Sequence, residues 1–98
     1  MDIPKMLAVD VDGTLLKPNG EINAEVVRCI RQMRAQGFTV MLWSMQGVEY
    51  AKRAASLCDP SLFDHIIPKP GYILDDYGWR WIRYTRIVRM TQAGWLAT

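Results

Sequence analysis

Apolar and polar positions change their period several times along this chain. Lys5-Met6-Leu7-Ala8-Val9-Asp10 is a short apolar run closed by a carboxylate, the pattern of a buried strand. Asp12-Gly13-Thr14 breaks that run, and Pro18-Asn19-Gly20 predicts a turn. Asn23 then stands where a helix cap belongs, with Glu25 in the first turn. Val26, Val27, Ile30 and Met33 recur at helical spacing, and Gly37 ends the helix at a C-cap position. Phe38 to Trp43 is rich in β-formers and predicts a second strand with Ser44 at its end. Gly47 to Cys58 predicts a second helix, with Val48, Ala51, Ala55 and Cys58 on one face and Asp59-Pro60 as its stop. Phe63 to Ile67 predicts a third strand, Lys69-Pro70-Gly71 a turn, and Tyr72-Ile73-Leu74-Asp75 a fourth strand. Trp79 to about Gln92 predicts a closing helix, ended by Gly94.

Strands alternating with helices imply an α/β fold: a small, mostly parallel sheet of about four strands with helices on both faces. A length of 98 residues predicts one domain over 1–98. Half of the residues are hydrophobic and 22% are charged, an ordinary globular balance that excludes a disordered tail, a collagen-like repeat and a coiled coil. The apolar runs fall far short of the ~20 residues of a membrane span, and the N-terminus lacks the layout of a secretory signal, so no membrane partner is expected. Cys29 and Cys58 both fall within helical apolar patterns. Two such cysteines make no disulfide framework, and the expected compartment is the cytoplasm.

Charge is uneven. Residues 1–49 carry a net −1 and residues 50–98 a net +3. After Asp76 there is no acid, only Arg80, Arg83, Arg86 and Arg89, interleaved with Trp79, Trp81, Tyr84 and Trp95. On the predicted helix the four arginines form a slanting band. That band reads either as a polyanion-tracking surface with stacking aromatics or as a solvated helix face whose aromatics pack on the sheet. The aromatics also suit a contact between copies of the chain.

In parallel α/β sheets the site lies beyond the carboxyl ends of the strands. Asp10 and Asp12 follow the first strand, Ser44 the second, Lys69 the third, and Asp75-Asp76 the fourth. A single strand-end Asp is ordinarily a turn former, so the convergence is the signal. Four gathered carboxylates repel one another unless a cation neutralises them. Hard oxygen ligands without added His or Cys select Mg²⁺. His65 lies inside the third strand without a partner at ligand spacing and reads as structural. With a Lys ammonium, a Ser hydroxyl and backbone N–H groups at a helix start, such a rim suits a phosphate dianion. One carboxylate is then available as nucleophile and another as proton donor and acceptor.

Asp10-Val11-Asp12-Gly13-Thr14 resembles the D-x-D-G-T nucleophile motif of the haloacid dehalogenase superfamily of phosphohydrolases. Ser44, Lys69 in Ile67-Pro68-Lys69-Pro70, and Asp75-Asp76 after Ile73-Leu74 are similar to that family's three further stations, in order; Phe63-Asp64 is a further likeness. The resemblance covers residues 5–76. It implies a three-layer Rossmann-like fold and a Mg²⁺-dependent phosphomonoesterase. It makes Asp10 the nucleophile that forms an aspartyl-phosphate, and Asp12 the acid that protonates the leaving oxygen and then activates water. It gives Ser44, with Met45 beside it, to the phosphate, has Lys69 hold Asp10 and the phosphate together, and gives Asp10, the Asp12 carbonyl and Asp75 to the metal, with Asp76 either a further ligand or the holder of a bound water. Only residues 15–22 separate the first motif from the first helix, which implies a small flap and no cap domain. An open site of that kind suits a nucleic-acid end, a phosphoprotein, or a small phosphorylated molecule enclosed by a second copy of the chain.

Trp43 reads as core, and Gln46 as a substrate contact or a plain helix-start residue. A receiver domain also gathers acids, a hydroxyl and a lysine, but it places its lysine last. A non-catalytic module that keeps the fold and binds nucleic acid or protein through Arg80–Arg89 is the other reading, and a fragment of a longer chain a third.

Overall fold

The computed structural model describes residues 3–78, 88–91 and 94–97. The chain divides into two compact units, one of residues 5–69 and one of residues 1–4 with 70–98.

The first unit holds β1 (Met6–Asp10), α1 (Ala24–Ala35), β2 (Thr39–Ser44), α2 (Val48–Ser56), a short 3-10 turn (Pro60–Leu62) and β3 (His65–Pro68). All three strands are parallel, in the order β1-β2-β3, with Asp10 beside Trp43 and Ser44 beside Pro68. Each element follows from its residues. Asn23 caps α1 by accepting from the N–H groups of Glu25 and Val26. At the other end, the N–H of Gly37 bonds the carbonyl of Arg34 and the N–H of Phe38 that of Met33, the reciprocal pair that closes a helix before an extended strand.

Both helices pack against the same face of the sheet. Two successive right-handed crossovers in one direction require it, and the burial along β2 shows it: Val40, Leu42 and Ser44 are buried while Thr39 is exposed and Met41 and Trp43 are half-buried. Val26, Cys29, Ile30 and Met33 of α1 and Ala51, Ala54 and Ala55 of α2 complete that core. On the opposite face Met6, Ala8 and Ile67 remain exposed. Helices are expected on both faces, and the two described here lie on one; the closing helix expected over 79–92 lies partly outside the described residues, and Arg80, Arg83 and Arg86 fall in that part.

Asp64 ties the layers together. Its carboxylate accepts from the Val40 N–H and the Arg34 guanidinium, both at 2.8 Å, and Arg34 also donates to the Leu62 carbonyl. The Val40 N–H, and then Arg34, hold this carboxyl below the usual Asp range, against an opposing effect of burial. Phe63, expected within the third strand, is buried just ahead of it, and the strand starts at His65.

The second unit departs from expectation in two places. Tyr72-Ile73-Leu74-Asp75 forms no strand, so the parallel sheet has three strands among the described residues rather than about four. Here Asp75 makes a local turn instead, accepting from the N–H groups of Tyr77 and Gly78. Residues 88–91, expected in the closing helix, form β4 (Val88–Thr91), antiparallel to β5 (Gly94–Ala97). Val88-Arg89-Met90-Thr91 alternates apolar and polar with period two, and the pairing of Thr91 with Gly94 leaves two residues between the strands, a common hairpin connection. Arg89 therefore lies on a strand.

Candidate active site

The site residues of the first unit gather at the carboxyl ends of its strands. Asp10 ends β1, Ser44 ends β2, and Lys69 directly follows β3. Because β2 lies between the other two strands, Lys69 must cross it to meet Asp10. Its Nζ passes over the Trp43 ring, 5.5 Å from the centroid, and reaches the Asp10 Oδ1 at 3.2 Å. Trp43 is thus neither plain core nor an open platform; it supports the lysine.

After Asp10 the backbone folds over itself. The carbonyl of Asp10 accepts from the Leu15 N–H, and that of Val11 from Thr14 and Leu16. Val11, Leu15 and Leu16 are buried beneath this loop, and isolated bridges join Leu16 to Asp12 and to Ile22. Residues 15–22, the expected small flap, follow directly.

The turn after β2 is equally constrained. The Ser44 hydroxyl accepts from the Gln46 N–H at 3.0 Å, and the Ser44 carbonyl accepts from the N–H groups of Gly47 and Lys69. Ser44 is 2% exposed, and its hydroxyl keeps its own proton to donate. Met45 beside it is 72% exposed. Gly47 has φ +99° and ψ 178°, a backbone conformation restricted to glycine, and it starts α2 without any side-chain cap. The first amides of α2 are therefore not occupied by a side chain of the kind that fills α1 at Asn23.

Asp12 is held by two residues of this same segment. Tyr50 donates its hydroxyl to Oδ1 at 2.5 Å and Gln46 donates its side-chain amide to Oδ2 at 2.7 Å. The hydrogen bond to Asp12 is the main cause that pushes the Tyr50 phenol above its ordinary pKa, so it stays protonated. The sequence offers Gln46 as a substrate contact or a plain helix-start residue, and its side chain instead bonds Asp12; Tyr50 carries no sequence signal, because it lies off the apolar face of α2.

Asp75 and Asp76 belong to the other unit. Among the described residues no three His, Cys, Asp or Glu side chains are grouped to hold a metal ion, and none of the helices is long and apolar enough to cross a membrane. His65 is exposed at the start of β3.

No solved structure matches the chain. A family model described as haloacid dehalogenase-like hydrolase matches residues 7–89. That match covers most of the chain and runs through Asp10, Asp12, Ser44 and Lys69 alike, and on it the chain belongs to the haloacid dehalogenase-like hydrolases.

Proposed function

We propose that this hydrolase cleaves phosphomonoesters with Mg²⁺, through an aspartyl-phosphate on Asp10. The observation that carries the reading is the contact between Lys69 Nζ and Asp10 Oδ1, which places a fixed cation beside the nucleophilic carboxylate at the rim of the sheet. A carboxylate oxygen of Asp10 attacks the phosphorus while the bond to the leaving oxygen breaks, and that oxygen takes a proton from Asp12. Water then gives a proton to Asp12 and attacks the same phosphorus. The acyl phosphate bond breaks, its electron pair returns to Asp10, and inorganic phosphate leaves. Lys69 offsets charge on Asp10 and on the phosphoryl group, and the uncapped start of α2 with Ser44 and Met45 receives the phosphoryl oxygens.

The donor set fits Mg²⁺. The Asp10 carboxylate and the Asp12 backbone carbonyl offer hard oxygens, with no sulfur or imidazole among them, and Mg²⁺ is commonly held by one or two carboxylates together with water and substrate phosphate. When bound, the ion neutralises charge on the phosphoryl oxygens.

Asp12, Met45 and Gln46 are exposed, which supports a phosphate carried on a larger molecule such as a nucleotide or a nucleic-acid end. A second copy of the chain as lid serves a smaller substrate equally. Cys29 and Cys58 are both free thiols, consistent with a cytoplasmic setting.

The test is phosphate release from an aryl phosphate by wild type and Asp10→Asn, with Mg²⁺ and with a chelator. Loss of a covalent nucleophile lowers kcat by about a thousandfold or more. Undiminished turnover in the variant, or equal turnover in chelator, refutes the reading.

A further inference from the structure

We propose that Tyr50 and Gln46 are positioning residues that fix the carboxylate of Asp12 for its proton transfers. The inference rests on the phosphatase reading of the same site.

Asp12 is exposed and stands in the loop after β1, directly before the turn at Gly13, where an unrestrained carboxylate would sample many orientations. Instead both of its oxygens are taken, Oδ1 by the Tyr50 hydroxyl at 2.5 Å and Oδ2 by the Gln46 amide at 2.7 Å. Both donors come from one stiff segment. The Gln46 backbone is fixed through the Ser44 hydroxyl. Tyr50 sits in the first turn of α2 beside Ala51, which is fully buried, and its ring lies 5.8 Å from the Arg53 guanidinium carbon. The loop after β1 and the turn after β2 are therefore joined through a single carboxylate.

Solvent-exposed hydrogen bonds of this kind add little to folding stability. Removing them should be read in turnover rather than in melting.

Tyr50→Phe and Gln46→Met test this. Each lowers kcat by about tenfold to a hundredfold, the effect of a misplaced catalytic group, while KM and the melting temperature stay at wild-type values. The loss is larger on an alkyl phosphate than on an electron-poor aryl phosphate, whose leaving group needs less protonation. In an Asp12→Ala background, Tyr50→Phe costs nothing further, because its effect passes through Asp12. Undiminished kcat, an equal loss in the Asp12→Ala background, or a melting temperature that falls together with kcat overturns the proposal alone. A wild type without Mg²⁺-dependent turnover overturns the phosphatase reading and this inference with it.

Discussion

Gly47→Ala isolates a backbone cost at the heart of the site. At φ +99° and ψ 178° a side chain of the L series is strained, whatever space surrounds it. Space is not limiting here: a Cβ built on Gly47 meets nothing within 4 Å. The penalty is therefore conformational, about 1–3 kcal/mol for a residue forced into this region. At 4–8 °C per kcal/mol for a domain of this size, the melting temperature falls by roughly 4 to 24 °C. If the turn relaxes to escape the strain, it loses the Gly47 N–H bond to the Ser44 carbonyl and with it the start of α2, so turnover falls too. The assay is thermal unfolding followed by circular dichroism, beside a synthetic chain carrying D-alanine at the same position. For a D residue this φ,ψ is the mirror image of ordinary extended backbone, and stability is retained. Equal melting of the L- and D-alanine proteins refutes the reasoning.

Two further perturbations test the layers beneath the site. Asp64 has a folded pKa below its unfolded value, so its stabilisation is complete above about pH 4 and is lost as pH falls through the folded pKa. Asp64→Asn should flatten that acid limb and leave less stability at neutral pH, measured by urea unfolding across pH; an unchanged limb removes Asp64 from the account. Leu42→Ala, at a fully buried position on the central strand, should cost about 2–5 kcal/mol by urea unfolding. Met6→Ala, 49% exposed on the other face of the sheet, should cost clearly less, and equal costs would refute the one-sided core.

Much of the first unit was legible in the residues. The apolar run ending at Asp10, the cap at Asn23, the β-rich Phe38–Trp43 and the stop at Asp59-Pro60 each obey local rules, and local rules decide β1, α1, β2 and α2. The convergence of Asp10, Ser44 and Lys69 followed from parallel topology alone, since all three lie at or just past strand ends. What failed depends on partners instead. Tyr72–Asp75 has the composition of a strand, but composition supplies no neighbour to bond with, and Tyr72 and Leu74 are fully exposed. At 88–91 the three-residue spacing of the arginines suggested a helix and hid the period of two in Val88-Arg89-Met90-Thr91. Tyr50 was invisible for a related reason. Its role exists only because the fold brings Asp12 to the start of α2, a contact between residues 38 apart in sequence.

The flap itself bears on how this scaffold can change. Its base is anchored by buried Leu15 and Leu16 and by the Asn23 N–H on the Leu15 carbonyl. Its tip is a self-contained loop, closed between Lys17 and Glu21 and exposed throughout. Extra residues spliced into Lys17–Gly20 would thus meet solvent before they met the core. Length and foldability occupy separate stretches of the chain here, so a library randomised in length and content at that tip can vary the surface without renegotiating how the sheet assembles.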